Sequence, residues 1–202
     1  MKPTYDIETE VEGFGYNYVA GVDEAGRGPG AGPVVAAAVR IPPFAIDSLK
    51  DIVNDSKKVS EKKRKEVCKT IMQLCDWGIG SIDNEIIDDI NILESTKLAM
   101  RMAISELKTV DYVIIDGNFM IKELDLPHQP VVKGDALSLS IAAASILAKV
   151  HRDEFMLKLH EMFPLYGWDT NKGYLTKKHM DAIKEYGVTE YHRLSFKKVG
   201  DI

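Results

Sequence analysis

Short apolar runs along the chain predict five strands, and the first two lie close together in sequence. Residues 16–22 alternate between apolar and polar positions, whereas residues 33–41 form the continuous apolar run of a strand that is buried on both faces. About ten residues separate the two runs, which is too few for a crossover helix, so the pattern predicts an antiparallel pair. The remaining strands are predicted at 77–83, 111–116 and 129–132.

Longer stretches carry apolar residues at the three-to-four-residue spacing of a helix. They cover residues 61–75, 84–108, 136–163 and 176–186. Ser60 precedes the first stretch and is its predicted N-cap, and the second divides near Asn91 into a short helix and a long one. The third is predicted as one continuous helix whose small residues let it lie close on a sheet, and 164–173 is predicted as a loop.

The order of these elements predicts the fold class. It is an α/β protein with a mixed sheet of about five strands and helices on both faces. The first strand and the 111–116 strand are predicted to lie side by side and parallel, which would place Asp23 and Asp116 at the same edge of the sheet. At 202 residues the chain fits one domain with a small C-terminal segment.

The composition is that of a soluble globular protein, with 45% hydrophobic and 28% charged residues. No apolar run approaches the roughly 20 residues that span a bilayer, and the polar, acidic N-terminus is unlike a signal peptide. We therefore expect a cytoplasmic protein with no membrane partner. The only cysteines, Cys68 and Cys75, have no histidine at metal-ligand spacing and are expected to be reduced thiols.

The net charge of −5 argues by itself against a nucleic-acid partner, but the charges are unevenly distributed. Residues 57–69 contain seven basic and two acidic residues, and the chain from Asn171 onward contains seven basic and four acidic residues. Such blocks are commonly solvated helix faces, yet a locally basic surface is sufficient to hold a phosphate backbone. The charge pattern leaves both interpretations open.

Acidic residues stand at the ends of three predicted strands. Asp23 and Glu24 end the first strand, Asp116 follows four apolar residues, and Asp135 follows the last strand. Neighbouring residues of a regular strand point to opposite faces, so Asp23 and Glu24 can serve one site only if the strand breaks there. Clustered carboxylates repel one another unless a cation lies between them. Oxygen ligands without histidine or cysteine favour Mg²⁺ or Mn²⁺, and two such ions are a common arrangement for phosphodiester hydrolysis.

Asp153 is the alternative to Asp135 as the fourth ligand. In one continuous helix the two lie 18 residues apart, about 27 Å at the usual rise per residue, so both cannot bind one pair of ions. Asp135 directly follows a strand and is also placed to cap the helix. It is therefore the predicted ligand, and Asp153, between Arg152 and Glu154, is expected to be structural.

A glycine-rich loop follows the first pair of acids. The stretch GRGPGA fits a loose dinucleotide-binding pattern, but that motif requires a helix directly after it, and here a strand follows. The chain contains no G-x-x-x-x-G-K-[ST] motif either, which argues against a nucleotide cofactor. Gly26, Arg27 and Gly28 are better explained as a backbone segment that approaches a ligand and offers N–H groups to a sugar or phosphate oxygen.

Several motifs occur in order across nearly the whole chain. They are GVDEAGRGP, AGPVVAAAV, DSKK, DGN, VVKGDALSLSIAAASILAKV, KGY and TKKH, and then HR followed by SF. This series resembles bacterial ribonuclease HII, the type 2 ribonuclease H. The resemblance implies the ribonuclease H-like fold, a five-stranded mixed sheet flanked by helices. It places the catalytic domain over 1–163 and a C-terminal helical extension that contributes to substrate binding over 164–202.

The resemblance also implies an activity and a catalytic centre. The activity is cleavage of the RNA strand of RNA–DNA hybrids and nicking 5′ to single ribonucleotides embedded in duplex DNA, with 3′-hydroxyl and 5′-phosphate products. The matching catalytic and metal-binding positions are Asp23, Glu24, Asp116 and Asp135. They are the same four carboxylates that the strand ends indicate.

Seven further residues match or resemble positions that contact the substrate. They are Gly26, Arg27, Gly28, Lys57, Lys58, Lys149 and Tyr174. The glycine–arginine–glycine loop matches the loop that reads the ribose 2′-hydroxyl, the group that distinguishes RNA from DNA. The tyrosine matches the one that stacks on the deoxyribose past the RNA–DNA junction. The lysine pair resembles lysines near the scissile phosphate, and the third lysine is a further phosphate candidate.

The chain departs from the family pattern at two positions. Gly30 stands where the family usually has a larger apolar residue, and we expect it to add flexibility beside the glycine loop. Asn171 stands where a histidine is common, which puts a role for that histidine in doubt. The related ribonuclease HIII usually has a long N-terminal domain and a threonine in the glycine loop. About 15 residues before the first strand, and Arg27 in the loop, favour type HII.

Two hypotheses of function follow. The first is a metal-dependent ribonuclease, expected to act as a monomer, and the second is a catalytically silent nucleic-acid-binding module on the same fold. The intact carboxylates favour the first, because a binding module gains nothing from negative charges that face phosphate.

Overall fold

Five strands form one mixed sheet in the computed structural model, which describes residues 2–53 and 60–201. In chain order they are β1 (Val19–Ala25), β2 (Val34–Arg40), β3 (Asp76–Ile82), β4 (Tyr112–Asp116) and β5 (His128–Val131). Their spatial order is β3-β2-β1-β4-β5. β1 is antiparallel to β2 and parallel to β4, as the sequence predicts. Lys57 and Lys58 lie outside the described residues.

Helices cover both faces of this sheet. They are α1 (Asp6–Glu12), α2 (Ile46–Ile52), α3 (Glu61–Leu74), α4 (Asn84–Ser105), α5 (Gly134–Leu137), α6 (Leu139–Met162), α7 (Trp168–Asn171), α8 (Lys177–Tyr186) and α9 (Lys197–Gly200). Apolar side chains of α2, α3 and α6 pack on one face, and those of α4 pack on the other. The predicted α/β class is therefore confirmed. Within the described ranges, no helix is both long and apolar enough to span a bilayer.

Two predicted helix starts are confirmed by their capping contacts. The Ser60 hydroxyl accepts a hydrogen bond from the Lys63 N–H at 3.4 Å, and α3 begins at the next residue. Asn91 interrupts α4 with a φ of 69°, and its side-chain oxygen accepts from the Leu93 and Glu94 N–H groups at 2.9 and 3.2 Å. Both side chains satisfy N–H groups that a helix start leaves without partners.

β1 continues through its two acidic residues instead of ending at Asp23. The backbone of Asp23 is paired with Ala37 and that of Glu24 with Ala36, and the ladder continues one residue further. The expected break at Asp23 is therefore wrong, because the apolar run of β2 supplies partners up to the end of the strand. The two carboxylates must reach any common site from a regular strand.

α6 lies directly against β1, as the small residues in its sequence predict. All residues from 139 to 148 are buried. Gly21 makes this approach possible, because a Cβ atom there would lie 2.3 Å from the backbone nitrogen of Ile141. A side chain at this position would push the helix away from the strand that carries Asp23.

The predicted helix over 136–163 is broken at Ser138, whose φ of −99° and ψ of 134° are extended. The buried Glu8 carboxylate of α1 accepts hydrogen bonds at this break from the Ser138 hydroxyl at 2.6 Å and from the Ser140 N–H at 2.9 Å. The Thr4 backbone also pairs with residues on either side of Ser138. Asp135 consequently lies inside α5 and not at a helix N-cap, so that expectation is wrong. The contact joins residues 130 positions apart, and local sequence does not indicate it.

The segment after α6 is more regular than the predicted loop. It contains a 3₁₀ turn over Pro164–Tyr166 and then α7. Apolar side chains from this segment, from α6, from α8 and from the glycine loop form one buried cluster centred on Trp168. The loop that follows β1 is therefore in direct contact with the C-terminal part of the chain.

Candidate active site

Three of the four predicted carboxylates lie on neighbouring strands at one edge of the sheet. Asp23 and Glu24 are on β1, and Asp116 ends β4, the parallel neighbour of β1. Asp23 is only 5% exposed, and its Oδ1 accepts the Glu24 N–H at 2.7 Å. The hydroxyl of Ser145 on α6 also forms a hydrogen bond with Asp23. The predicted adjacency of Asp23 and Asp116 follows from this parallel pairing.

The acids at this edge are buried and lie close enough to repel one another. Burial raises the pKa of Asp23 well above its usual value, and the negative charges of Glu24 and Asp116 raise it further. Burial also raises the pKa of Glu24, where Arg27 opposes the shift and Asp116 adds to it. One oxygen of Glu24, Oε2, is buried without a hydrogen-bond partner. A positive charge placed among these groups would lower the energy of all three.

Asp135 is held beside Asp116 by backbone contacts. The Asp116 Oδ1 accepts the Gly134 N–H at 2.6 Å and the Asp135 N–H at 3.4 Å, so it caps the start of α5. Asp135 itself is 9% exposed. The fold thus brings the fourth predicted carboxylate to the same edge as the other three.

The donor set fits a hard divalent cation in its chemistry. All four side chains offer carboxylate oxygens, which Mg²⁺ and Mn²⁺ prefer, and the unpartnered Glu24 oxygen and the raised pKa of Asp23 are what a cation would compensate. Within residues 2–53 and 60–201, no three histidine, cysteine, aspartate or glutamate side chains are already arranged to hold a metal ion. The fit therefore rests on charge and donor type, and not on ligand geometry.

The glycine loop begins one residue after β1 and turns sharply at Gly26. Gly26 has a φ of 99°, and a Cβ atom there would lie 2.1 Å from Nε of the buried Arg152. Gly28 differs, because a Cβ atom there would meet only Cε1 of Tyr174, at 3.4 Å, an ordinary contact distance. The protein interior therefore explains Gly26, whereas it gives no reason for Gly28. A ligand that approaches the backbone closely at this position would explain Gly28.

The side chain of Arg27 connects the glycine loop to the carboxylates. Its NH1 lies 3.4 Å from Glu24 Oε1, and its guanidinium lies 5.9 Å from the centre of the Phe119 ring. The Arg27 side chain is 44% exposed, so the ion pair itself contributes little to stability. The exposed guanidinium of Arg27 keeps hydrogen-bond donors accessible beside the acids.

One cavity joins several predicted residues. It has a volume of about 410 Å³ and is lined by Glu24, Arg27, Gly28, Lys149 and Tyr174, among others. Half of the Tyr174 surface is exposed. The structure thus brings the glycine loop, one carboxylate, the third lysine and the tyrosine to one place, while Asp116 and Asp135 lie outside the lining of this cavity.

Asp153 is engaged elsewhere. It is 4% exposed and lies 2.8 Å from Lys149 Nζ and 3.8 Å from Arg64 NH1, so it links α6 to α3. These ion pairs account for a buried carboxylate at this position. Lys149 therefore forms an ion pair with Asp153 and also lines the cavity.

The two departures from the family pattern have structural explanations. Gly30 is buried, its N–H and carbonyl are both hydrogen-bonded, and a Cβ atom there would lie 2.6 Å from the side chain of Leu175. These contacts hold Gly30 in place and argue against the expected flexibility. Asn171 fixes the turn that leads to Tyr174, because its side chain donates to the Tyr166 carbonyl at 2.7 Å and accepts the Gly173 N–H at 2.8 Å.

A buried histidine pair supports the same turn and was not predicted. His179 and His192 are 0% and 1% exposed, and their Nε2 atoms lie 3.1 Å apart. His179 Nδ1 donates to the Tyr174 carbonyl at 3.0 Å, while its Nε2 accepts the Trp168 indole N–H. His192 Nδ1 accepts the Thr189 N–H at 2.8 Å. Each ring thus already uses both nitrogens as a neutral imidazole, which sequence spacing alone does not reveal.

The histidine pair predicts a loss of stability in acid. Burial lowers the pKa of His179, and burial together with His179 lowers the pKa of His192 to about 4. At these histidines the unfolded chain binds more protons than the folded chain below about pH 6.5, so their contribution to stability falls as the pH decreases, for His192 down to about pH 4. His192 alone accounts for up to about 3 kcal/mol of this loss. Thermal unfolding measured across this pH range should show that Tm falls less per pH unit for His192→Gln than for the wild type. An equal fall of Tm in both proteins would show that His192 does not cause the loss of stability.

Comparison with known proteins identifies the family. The chain matches the family model described as Ribonuclease HII over residues 20–199. Ribonuclease HII of Paracoccus denitrificans is 48% identical over 201 residues, covering 99% of this chain and 94% of the relative. Ribonuclease HII of Clostridioides difficile is 50% identical over 193 residues, covering 94% of this chain and 74% of the relative. RNase HII of Archaeoglobus fulgidus, solved in its complex with PCNA, aligns with a TM-score of 0.78 and 28% identity, covering 90% of this chain and 96% of that one.

The family match, together with the likeness of the mixed sheet and its flanking helices to a solved relative, places the chain among the ribonucleases H, which are metal-dependent hydrolases of phosphodiester bonds. Within that class the match is specific. The chain belongs to the ribonuclease HII family. It is therefore an endoribonuclease that acts on RNA–DNA hybrids, and the alternative of a catalytically silent module is wrong.

Proposed function

We propose that this ribonuclease HII also nicks duplex DNA on the 5′ side of a single embedded ribonucleotide, leaving 3′-hydroxyl and 5′-phosphate ends. The observation that supports this proposal is the shared cavity lined by Glu24, Arg27 and Tyr174. A carboxylate of the acidic cluster lies there beside two groups suited to contact successive sugars. Such an arrangement is what cleavage next to one chosen nucleotide requires.

Recognition of the ribose is assigned to the glycine loop. A 2′-hydroxyl both donates and accepts hydrogen bonds, and it is the only group that distinguishes the two sugars. The exposed Arg27 offers donors, and Gly28 leaves the loop backbone open on the cavity side. Stacking on the next sugar is assigned to the phenol ring of Tyr174, which lies beside Gly28 and lines the same cavity.

The four carboxylates are assigned to a pair of Mg²⁺ or Mn²⁺ ions. When bound, such ions activate the attacking water and stabilise the leaving oxygen. The chain's own contacts orient three of the carboxylates beforehand: Ser145 contacts Asp23, the Gly134 N–H contacts Asp116, and Arg27 contacts Glu24. Asp135 completes the set from α5.

Lysines are assigned to the phosphate groups of the substrate. Lys149 lines the cavity and is 30% exposed, with Asp153 holding its ammonium group in place. Lys57 and Lys58 remain proposals from sequence. We also propose that the protein acts as a monomer.

A duplex with one ribonucleotide tests this proposal directly. In the presence of Mg²⁺ or Mn²⁺ we expect a single nick on its 5′ side, no cleavage of the matching all-DNA duplex, and degradation of the RNA strand of a hybrid. Denaturing gels of end-labelled strands locate the nick and identify the new ends. Degraded hybrid with an intact single-ribonucleotide duplex would refute the proposed junction activity.

A further inference from the structure

Two buried arginines hold the glycine loop, and neither was singled out from the sequence. Arg152 on α6 and Arg193 near the C-terminus are 1% and 0% exposed. Every hydrogen bond identified for their guanidinium groups goes to a backbone carbonyl. Burial lowers the pKa of Arg152 to about 10 and that of Arg193 to about 9, both well above neutral pH, so the groups stay charged. Charged donors make stronger hydrogen bonds than neutral ones.

The two arginines differ in what they connect. Arg193 donates to the carbonyls of Gly26, Arg27 and Gly32, all in the segment between β1 and β2 that contains the glycine loop. Arg193 therefore holds that segment against the C-terminal part of the chain and makes no guanidinium hydrogen bond to the turn of Tyr174 among those identified.

Arg152 instead joins two separate segments. It donates to Pro33 and Ala31 at the end of the glycine loop, at 3.0 and 3.1 Å, and to Lys172 at 2.9 Å. Lys172 lies two residues before Tyr174, in the turn that presents the phenol ring. One planar guanidinium thus ties the loop of Arg27 to the turn of Tyr174.

The two segments meet so closely that only glycine fits at two of the contact positions. A Cβ atom at Gly26 would lie 2.1 Å from Arg152 Nε, and one at Gly173 would lie 2.6 Å from the Ala31 carbonyl oxygen. A direct backbone hydrogen bond from Gly30 to Gly173 runs alongside, at 3.0 Å. The close packing prevents the two segments from approaching further, and the hydrogen bonds of Arg152 and Gly30 oppose their separation.

We propose that Arg152 is a positioning residue that sets the spacing between Arg27 and Tyr174, and thereby the selectivity for a ribonucleotide followed by DNA. This inference rests on the proposed function. A single embedded ribonucleotide allows one productive register, so the loop and the tyrosine must engage together. A long hybrid offers many registers and tolerates a looser spacing. Misplacement of a binding group by about 1 Å can cost about a hundredfold in rate.

The test uses Arg152→Lys, which keeps the charge but loses the planar fork. We expect its kcat/KM on the single-ribonucleotide duplex to fall about ten- to a hundredfold more than its kcat/KM on a long hybrid. Arg101→Lys on the surface, where Arg101 lies 3.7 Å from Glu123, is the matched control and should change neither value. Arg152→Gln, which keeps two donors, provides a second variant. All assays run well below each variant's measured Tm.

Coupling to Tyr174 separates positioning from a general loss of structure. Tyr174→Ala should reduce single-ribonucleotide cleavage much less in the Arg152→Lys background than in the wild type, because the spacing is already lost there. Equal losses on both substrates, or additive effects of the two substitutions, would overturn the positioning role while leaving the proposed function intact. A wild-type protein that degrades hybrids but does not nick the single-ribonucleotide duplex would overturn both.

Discussion

Asp116→Asn is expected to lower kcat by about a thousandfold or more while substrate affinity changes only a few-fold. The asparagine oxygen can still accept the Gly134 N–H that Asp116 accepts at 2.6 Å, so α5 and Asp135 should keep their places. What is lost is one negative charge at the edge of the sheet where the cation is proposed to bind. Loss of several kcal/mol of stabilisation by the metal corresponds to about this factor.

Three measurements check this expectation. Single-turnover cleavage gives the rate, anisotropy with a labelled duplex gives the affinity, and the increase of Tm on addition of Mg²⁺ or Mn²⁺ reports metal binding without catalysis. Asp111→Asn is the matched control, since Asp111 accepts the Asn17 and Tyr18 N–H groups at 2.8 Å just before the opposite end of β4. Full activity of Asp116→Asn in Mg²⁺ would rule out the metal site.

Gly26→Ala and Gly28→Ala are expected to act on different properties. Gly26 has a positive φ and lies against the Arg152 side chain, so an alanine there should lower the free energy of unfolding by about 3 kcal/mol. Gly28→Ala meets only an ordinary contact with Tyr174, so its Tm should stay near that of the wild type. Its methyl group enters the cavity proposed for the ribose, and KM should rise.

The comparison of the two variants is informative because both remove a glycine from the same short loop. Thermal unfolding and steady-state kinetics on the single-ribonucleotide duplex measure both properties. An unchanged KM for Gly28→Ala would show that this face of the loop does not contact substrate. A stable Gly26→Ala would mean that Arg152 is less firmly held than its three hydrogen bonds indicate.

Much of the sheet could be predicted because its strands are encoded locally. The apolar run of β2 and the short distance from β1 indicate an antiparallel pair, and the parallel β1–β4 pairing follows from the element order. The proximity of Asp23 and Asp116 then follows from strand geometry alone. The capping residues Ser60 and Asn91 are also local signals, since each bonds within three residues.

The features that the sequence does not reveal depend on contacts between distant segments. Arg152 reaches carbonyls 119 and 121 positions away, and Glu8 reaches serines 130 and 132 positions away. Backbone carbonyls leave no pattern in side-chain types, so an arginine that binds them looks like any other arginine. The break at Ser138 has the same origin, because its cause lies in α1.

The hydrogen bonds between Glu8 and the start of α6 tie the first helix to the part of the chain that the family model matches. The family match begins at residue 20, yet the carboxylate that receives the Ser140 N–H comes from residue 8. A chain trimmed to the matched region would leave that N–H and two serine hydroxyls without their acceptor beneath the helix. The α5 turn that carries Asp135 adjoins this point, so we expect the first residues of the chain to stabilise the edge of the sheet where the metal ions are proposed to bind.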